Sequence, residues 1–193
     1  VGEKWLIFVS SIQRGKALQQ RIKKETGRKA VFLSSENKAD KRWKTLSTEE
    51  RYDEDVLIAT KVLDNGVNIR DEDVRHIVIP FCDRTEFMQM LGRRRTHEGE
   101  RVCLYVEVPT IQKINTLRHG VETKRKAING VNGCAPNKKK ALLAKMWEAG
   151  RKDINSLFYI NKDGNLTSNF LAEKKLKQLS DFYGMLAAHY KEG

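Results

Sequence analysis

Three consecutive arginines, Arg93, Arg94 and Arg95, follow Gly92 at the end of the apolar run Phe87–Leu91. A guanidinium group is permanently charged, planar and shaped to hold carboxylate or phosphate with paired hydrogen bonds. Like charges on neighbouring residues repel, so the trio is favourable only beside something anionic. One arrangement supplies a phosphate from elsewhere. In the competing one, Arg94 and Arg95 face solvent or pair with Glu98 and Glu100. Acidic residues cluster as Asp53–Asp55 and Asp71–Asp73, but neither triplet directly follows an apolar strand. Both therefore read as solvated turns rather than as a magnesium-binding pair. Gly15-Lys16 lacks the following Ser or Thr, and the earlier glycine, of a phosphate-binding loop. Nothing in the chain holds a nucleoside triphosphate and magnesium unaided.

Metal and thiol chemistry are weakly represented. Cys82, Cys103 and Cys134 are odd in number and show no CxxC spacing, which argues against a disulfide framework or zinc site and fits a reducing cytoplasm. His76, His97, His119 and His189 form no HxxxH pattern. No apolar run approaches the ~20 residues needed to span a bilayer, so no membrane partner is expected. The opening VGEKWLIFVSS is too short and too weakly basic for a signal peptide. It reads as a strand that begins at once, as if the chain had been cut just upstream.

The elements that position the arginines follow from hydrophobic periodicity. Residues 4–11, 29–35, 55–60, 75–80 and 101–108 are short apolar runs that predict five strands. Residues 12–26 carry Ile12, Leu18 and Ile22 at helical spacing, with Gly27 as the stop. Residues 36–51 are polar and helical, with Trp43 and Leu46 facing inward. A further helix, carrying Gln89 and leading into the arginines, lies between the last two strands. Near-continuous apolar strands alternating with helices predict an α/β fold: a parallel sheet with helices on both faces.

After Pro109 the pattern changes. Residues 110–128 predict a basic helix, 129–137 a loop rich in Gly and Asn, and 138–150 a helix closed by Gly150. Residues 157–167 predict a hairpin turning at Asp163-Gly164. Residues 169–190 predict a helix capped by Asn169, with Leu171, Leu179, Phe182, Leu186 and Tyr190 as the apolar stripe. That stripe is expected to dock onto the sheet domain. The chain thus divides into a domain over 1–108 and a mostly helical extension over 109–193.

Charge divides at the same place. The whole chain carries +12. Residues 1–108 hold 21 Lys and Arg against 18 Asp and Glu, whereas residues 109–193 hold 16 against 7, a net of +9. A phosphate polymer is the natural partner of such a field. The Lys124–Lys126 and Lys138–Lys140 runs either contact backbone phosphate or are solvated. Trp43, Trp147, Phe158 and Tyr159 could stack on bases, but core packing is the simpler expectation for each.

Three segments in fixed order, LIFVSS, ATKVLDNGVNI and QMLGRRR, resemble motifs IV, V and VI of the second RecA-like lobe of a superfamily 2 helicase. The resemblance covers residues 4–108. The extension is similar, more loosely, to those of phage-like and mobile-element helicases. The resemblance implies ATP bound between two lobes, with Mg2+ and the Walker motifs supplied by an N-terminal lobe and arginine fingers by this one. It implies Arg93 and Arg95 as the fingers, although the second family arginine falls in register at Thr96. It implies nucleotide contacts from Gly66, Asn68, Gln89 and Gly92. It also implies contacts to the backbone of DNA or RNA from Ser10, Ser11, Thr60 and Lys61. Ser10, Ser11 and Thr60 can equally serve as helix caps. Three further readings remain open at the level of sequence. They are a non-catalytic nucleic-acid-binding module on this scaffold, a motor subunit of a restriction enzyme, and a chromatin-type remodeller.

Overall fold

The computed structural model describes residues 2–60, 63, 67–150 and 152–192. The chain separates into two compact units, Val1–Val108 and Pro109–Gly193. The first is built as β1 (Lys4–Phe8), α1 (Ile12–Thr26), β2 (Ala30–Leu33), a 3₁₀ turn (Ser35–Asn37), α2 (Lys41–Glu49), β3 (Val56–Ala59), β4 (Val74–Ile79), α3 (Arg84–Leu91) and β5 (Cys103–Val106). Its five strands form one parallel sheet in the order β2-β3-β1-β4-β5. This is the α/β architecture expected from the alternation of apolar runs and amphipathic segments.

Strand periodicity sends alternate residues to opposite faces. Leu6, Phe8, Val31, Leu33, Leu57, Ala59, Ile77 and Ile79 meet Leu46 of α2 and Met90 of α3 in the larger core. Ala30, Phe32, Val56 and Ile58 form the smaller core, packed by Ile12, Leu18 and Ile22 of α1. Gly15 is where α1 comes closest to the sheet, since a Cβ there would lie 2.2 Å from the Phe32 ring. Gly27, at φ 68°, ends α1 in the left-handed region. Not every strand is buried: Leu104, Tyr105 and Val106 of β5, one of the two edge strands, are all more than two-fifths exposed, whereas β2 at the other edge is buried throughout.

Lys4 ties the start of β1 to two loops. Its ammonium donates to the Tyr52 carbonyl at 2.6 Å and to Asp71 at 2.8 Å. The Tyr52 hydroxyl donates back to the Trp5 carbonyl at 2.9 Å. Burial, then the Asp71 charge, push the Tyr52 phenol well above its ordinary range. Asp71 is therefore a buried ion-pair partner and not a solvated turn residue. Asp55 also has a structural task, accepting from the Lys29 amide at 2.8 Å.

The second unit comprises α4 (Ile111–Asn132), α5 (Pro136–Glu148), a 3₁₀ segment (Lys152–Leu157), the antiparallel hairpin β6 (Phe158–Ile160) and β7 (Leu166–Ser168), and α6 (Phe170–Glu192). The long helix α4 runs four residues past its expected end. Ile114, Val121, Ile128 and Val131 make one buried stripe, and Val131 has no exposed surface, so packing carries the helix through Asn129 and Gly130. The hairpin turns at Asp163-Gly164 as expected, with the Asn161 side chain accepting from the Asp163 and Asn165 amides. Asn169 caps α6 by accepting from the Leu171 amide at 3.0 Å. The buried stripe of α6 differs from the expected one. Leu176, Tyr183 and Ala187 are buried, while Leu171 is 73% exposed. Counting leucines put the stripe on the wrong side of the first turn.

Candidate functional site

The three arginines separate into different environments within three residues. Arg94 is buried, its side chain fully covered. Its Nε donates to the Val74 carbonyl at 3.2 Å, and its terminal nitrogens donate to the Arg95 carbonyl and the Glu100 carboxylate. Glu100 is presented by a tight turn: its other oxygen accepts from the His97 amide at 3.0 Å, and Gly99 takes φ 82°. Burial pushes the Glu100 carboxyl up, but the His97 amide and the Arg94 guanidinium together hold it below the ordinary carboxylate range. Arg75 adds a more distant contact at 3.7 Å. Arg94 thus has its anion within the chain.

Among the described residues, Arg93 and Arg95 have none. Arg93 is half-buried; its Nη1 lies 3.5 Å from the Val67 carbonyl, and its buried Nε has no hydrogen-bond partner. Arg95 is exposed, and its Nε donates to the Asn68 side-chain oxygen at 3.1 Å. Holding an arginine by Nε leaves its two terminal nitrogens as a free, oriented fork.

The backbone explains this division. The Ile69 amide donates to the Arg93 carbonyl at 2.8 Å, and the Arg95 amide donates to the Ile69 carbonyl at 2.8 Å, forming an isolated parallel bridge between Ile69 and Arg94. In extended backbone, alternate side chains point opposite ways. Arg94 therefore goes into the core beside Ile69, which has no exposed surface, and Arg93 and Arg95 turn the other way. Asn68 leaves the facing segment on the same side as Arg95.

The remaining candidates fall into two groups. Gln89 is exposed on the last turn of α3, and Gly92 caps that helix, next to the arginines. Gly92 sits at an ordinary φ of −67°. A Cβ there would meet the Met88 carbonyl at 3.1 Å, so the helix end itself constrains this position. Ser10, Ser11 and Thr60 lie elsewhere, beyond the aligned carboxyl ends of β1 and β3, where Phe8 pairs with Ala59. Ser11 caps α1 by accepting from the Arg14 amide at 3.2 Å, and Ser10 is exposed. The Thr60 amide donates to the Leu33 carbonyl at 3.4 Å, and its carbonyl accepts from the Leu63 amide at 3.4 Å. Ligands of open α/β sheets gather at carboxyl strand ends of this kind. The Arg94 anchor, by contrast, is the carbonyl of Val74, the first residue of β4. Lys61 and Gly66 lie outside the described residues. Of the aromatic candidates, Trp43 packs on the larger core and Phe158 is buried, whereas Trp147 and Tyr159 are exposed.

Among curated proteins, none matches the chain. Among solved structures, the C-terminal domain of the DEAD-box protein Dbp5 is similar at a TM-score of 0.46 and 20% identity, over 62% of this chain and 68% of that one. S. cerevisiae Dbp5 bound to RNA and ADP BeF3 is similar at 0.46 and 19% identity, over 61% of this chain and 31% of that one. The C-terminal part of the Fun30 ATPase domain is similar at 0.46 and 17% identity, over 61% and 38%. The chain thus spans about a third of the length of the longer proteins. A family model, the helicase conserved C-terminal domain, matches residues 1–97, half of the chain. The chain belongs to the helicase conserved C-terminal domain family.

Proposed function

We propose that residues 1–108 are the second motor lobe of an ATP-dependent nucleic-acid helicase or translocase. ATP and Mg2+ would be held mainly by an N-terminal RecA-like lobe of the same parent protein. Arg93 and Arg95 would complete the site by donating to the γ-phosphate oxygens, where charge spreads during transfer. The observation that carries this reading is the unequal treatment of the trio. Arg94 is neutralised by Glu100, while among the described residues Arg93 keeps a buried donor without an acceptor and Arg95 keeps its terminal fork unbonded. A buried unpaired donor is costly unless a ligand satisfies it.

Asn68 holds Arg95 and would position it. Asn68 and Gln89 would contact the nucleotide, and Gly92 would set the approach of the following backbone. Ser10, Ser11 and Thr60 would grip the backbone of DNA or RNA at the carboxyl strand ends, giving hold without sequence readout. The lobe contributes fingers and grip, and turnover would need both lobes.

The test is ATP turnover and nucleotide binding by the full-length protein carrying Arg93→Ala. Loss of an arginine finger is expected to lower kcat by roughly 10³–10⁵-fold while ATP still binds. Turnover at the wild-type rate would remove Arg93 from the chemistry and leave a nucleic-acid-binding module as the better reading.

A further inference from the structure

The second unit carries a net charge of +9 that the motor reading leaves unused. In the first unit, ion pairs absorb much of the positive charge: Lys4, Arg14, Lys16, Arg42, Arg70 and Arg94 all have carboxylate partners. In the second unit the balance differs. Arg125 pairs with Glu122 at 3.0 Å. Lys174 and Lys177 are exposed and, among the described residues, have no carboxylate within ion-pair distance.

Those two lysines are not scattered. Phe170, Lys174 and Lys177 stand at i, i+4 and i+7 on α6, a spacing that places them along one side of the helix. They border an open cleft of about 550 Å³ between α4 and α6, within the second unit. Arg125 and Asn129 of α4 form the opposite wall, and the buried Ile128 contributes the floor. Arg125 is fixed through one terminal nitrogen by Glu122 and Ser180, and its side chain stays 41% exposed. Two carboxylates share the walls. Glu173 accepts from Asn132 at 3.4 Å, and Asp181 sits one turn beyond Lys177. Lys174 lies one turn from Phe170, and Arg125, bonded to Ser180, stands toward the Asp181 end.

Phe170 is 72% exposed at the first position of α6. Asn169 caps the helix, and the buried stripe faces elsewhere, so the fold has little use for this ring. An exposed ring beside unpaired cations is the combination that binds single strands: bases stack on the ring and cations track the phosphates. A duplex keeps its bases stacked on each other and offers the ring nothing.

We propose that the α4–α6 cleft is a second contact for single-stranded nucleic acid. Phe170 stacks on a base, Lys174 and Lys177 hold the adjoining phosphates, and Arg125 takes one farther along the cleft. The site is separate from the Arg93 region, so the two readings fail independently. The test is fluorescence anisotropy of a short labelled oligothymidylate with the 193-residue chain, over a series of KCl concentrations. All three α6 side chains are exposed, so unchanged thermal melts should certify folding of the variants. Phe170→Ala is expected to weaken binding roughly 5- to 100-fold without changing the salt dependence, and Phe170→Trp to keep it. Lys174→Ala with Lys177→Ala should flatten the slope of log Kd against log salt by about 1.4, at ~0.7 per phosphate. Binding of a duplex should be insensitive to Phe170→Ala. The proposal is overturned if Phe170→Ala binds the oligomer as wild type does, or if the double lysine variant keeps the full salt slope. It is equally overturned if an oligoglutamate competes as well as the oligonucleotide, which would assign the cleft to an acidic protein segment.

Discussion

Arg93 and Arg94 are adjacent, identical in type and opposite in consequence, so Arg94→Ala is the sharpest test of the site's construction. The Arg94 side chain is fully covered and serves three acceptors: the Val74 carbonyl, the Arg95 carbonyl and Glu100. Removing it leaves Glu100, whose side chain is only 7% exposed, with the His97 amide and a long contact to Arg75. Breaking one side of a buried pair costs about 3–5 kcal/mol. For a unit of this size, 1 kcal/mol moves Tm by roughly 4 °C, so the transition of the first unit should fall by about 10–20 °C. Arg93→Ala, which among the described residues removes no ion pair, should shift it by only about 2 °C, at the roughly ±0.5 kcal/mol usual where no such feature is lost. Scanning calorimetry gives the shifts, and amide exchange in β3 and β4 assigns the transition to the first unit. Acid supplies a sign check. The Glu100 carboxyl is held low in the folded chain, so its stabilisation is present above its ordinary value of 4.5 and is lost as pH falls through the lower folded value. The gap between wild type and Arg94→Ala should therefore narrow in acid. An Arg94→Ala shift as small as that of Arg93→Ala, or a gap independent of pH, would refute the assignment of Arg94 as anchor.

Two further outcomes follow from the same geometry. Tyr52→Phe removes the hydrogen bond to the Trp5 carbonyl, which should cost about 1 kcal/mol near neutral pH. Because the folded phenol titrates above its ordinary value of 10.0, its stabilisation is intact below that value and fades at higher pH. Denaturation curves of the phenylalanine variant should accordingly lose part of the wild type's alkaline destabilisation. In the full-length protein, Asn68→Ala should free Arg95 and lower kcat about 5-fold, the worth of one ordinary hydrogen bond. The affinity for the nucleic-acid track should hold, and an equal fall in both would show that Asn68 does something other than orient Arg95.

Much of the first unit was legible because a parallel sheet writes its strands as continuous apolar runs. Val31, Phe32, Leu57 and Ile58 are buried as their neighbours in sequence suggest. Which arginine is structural was less legible. Arg94 and Glu100 are six residues apart, a separation that no helix or strand period brings together, and they meet only through the turn at Gly99. The bridge to Ile69 decides which way each arginine points, and a backbone bridge leaves no mark in residue types. In the second unit, leucine counting misled at the start of α6. The helix packs on α4, burying Tyr183 and Ala187 and leaving Leu171 in solvent. The glycine and asparagine near the end of α4 suggested a loop, but both lie on its exposed side, where their poor propensity costs little against a buried Val131.

The two 2.8 Å bonds between residue 69 and the arginine segment have a practical consequence for mutagenesis. They run between main-chain atoms, so replacing side chains along either strand leaves the rivet in place, and an alanine scan would score both segments as mechanically independent. Proline at position 95 would remove the amide that closes one of them. On the motor reading proposed above, in which movement of residues 67–69 reaches the guanidinium fork through this joint, the lesion would appear as lost synchrony between track and fuel, with each side still competent when assayed alone.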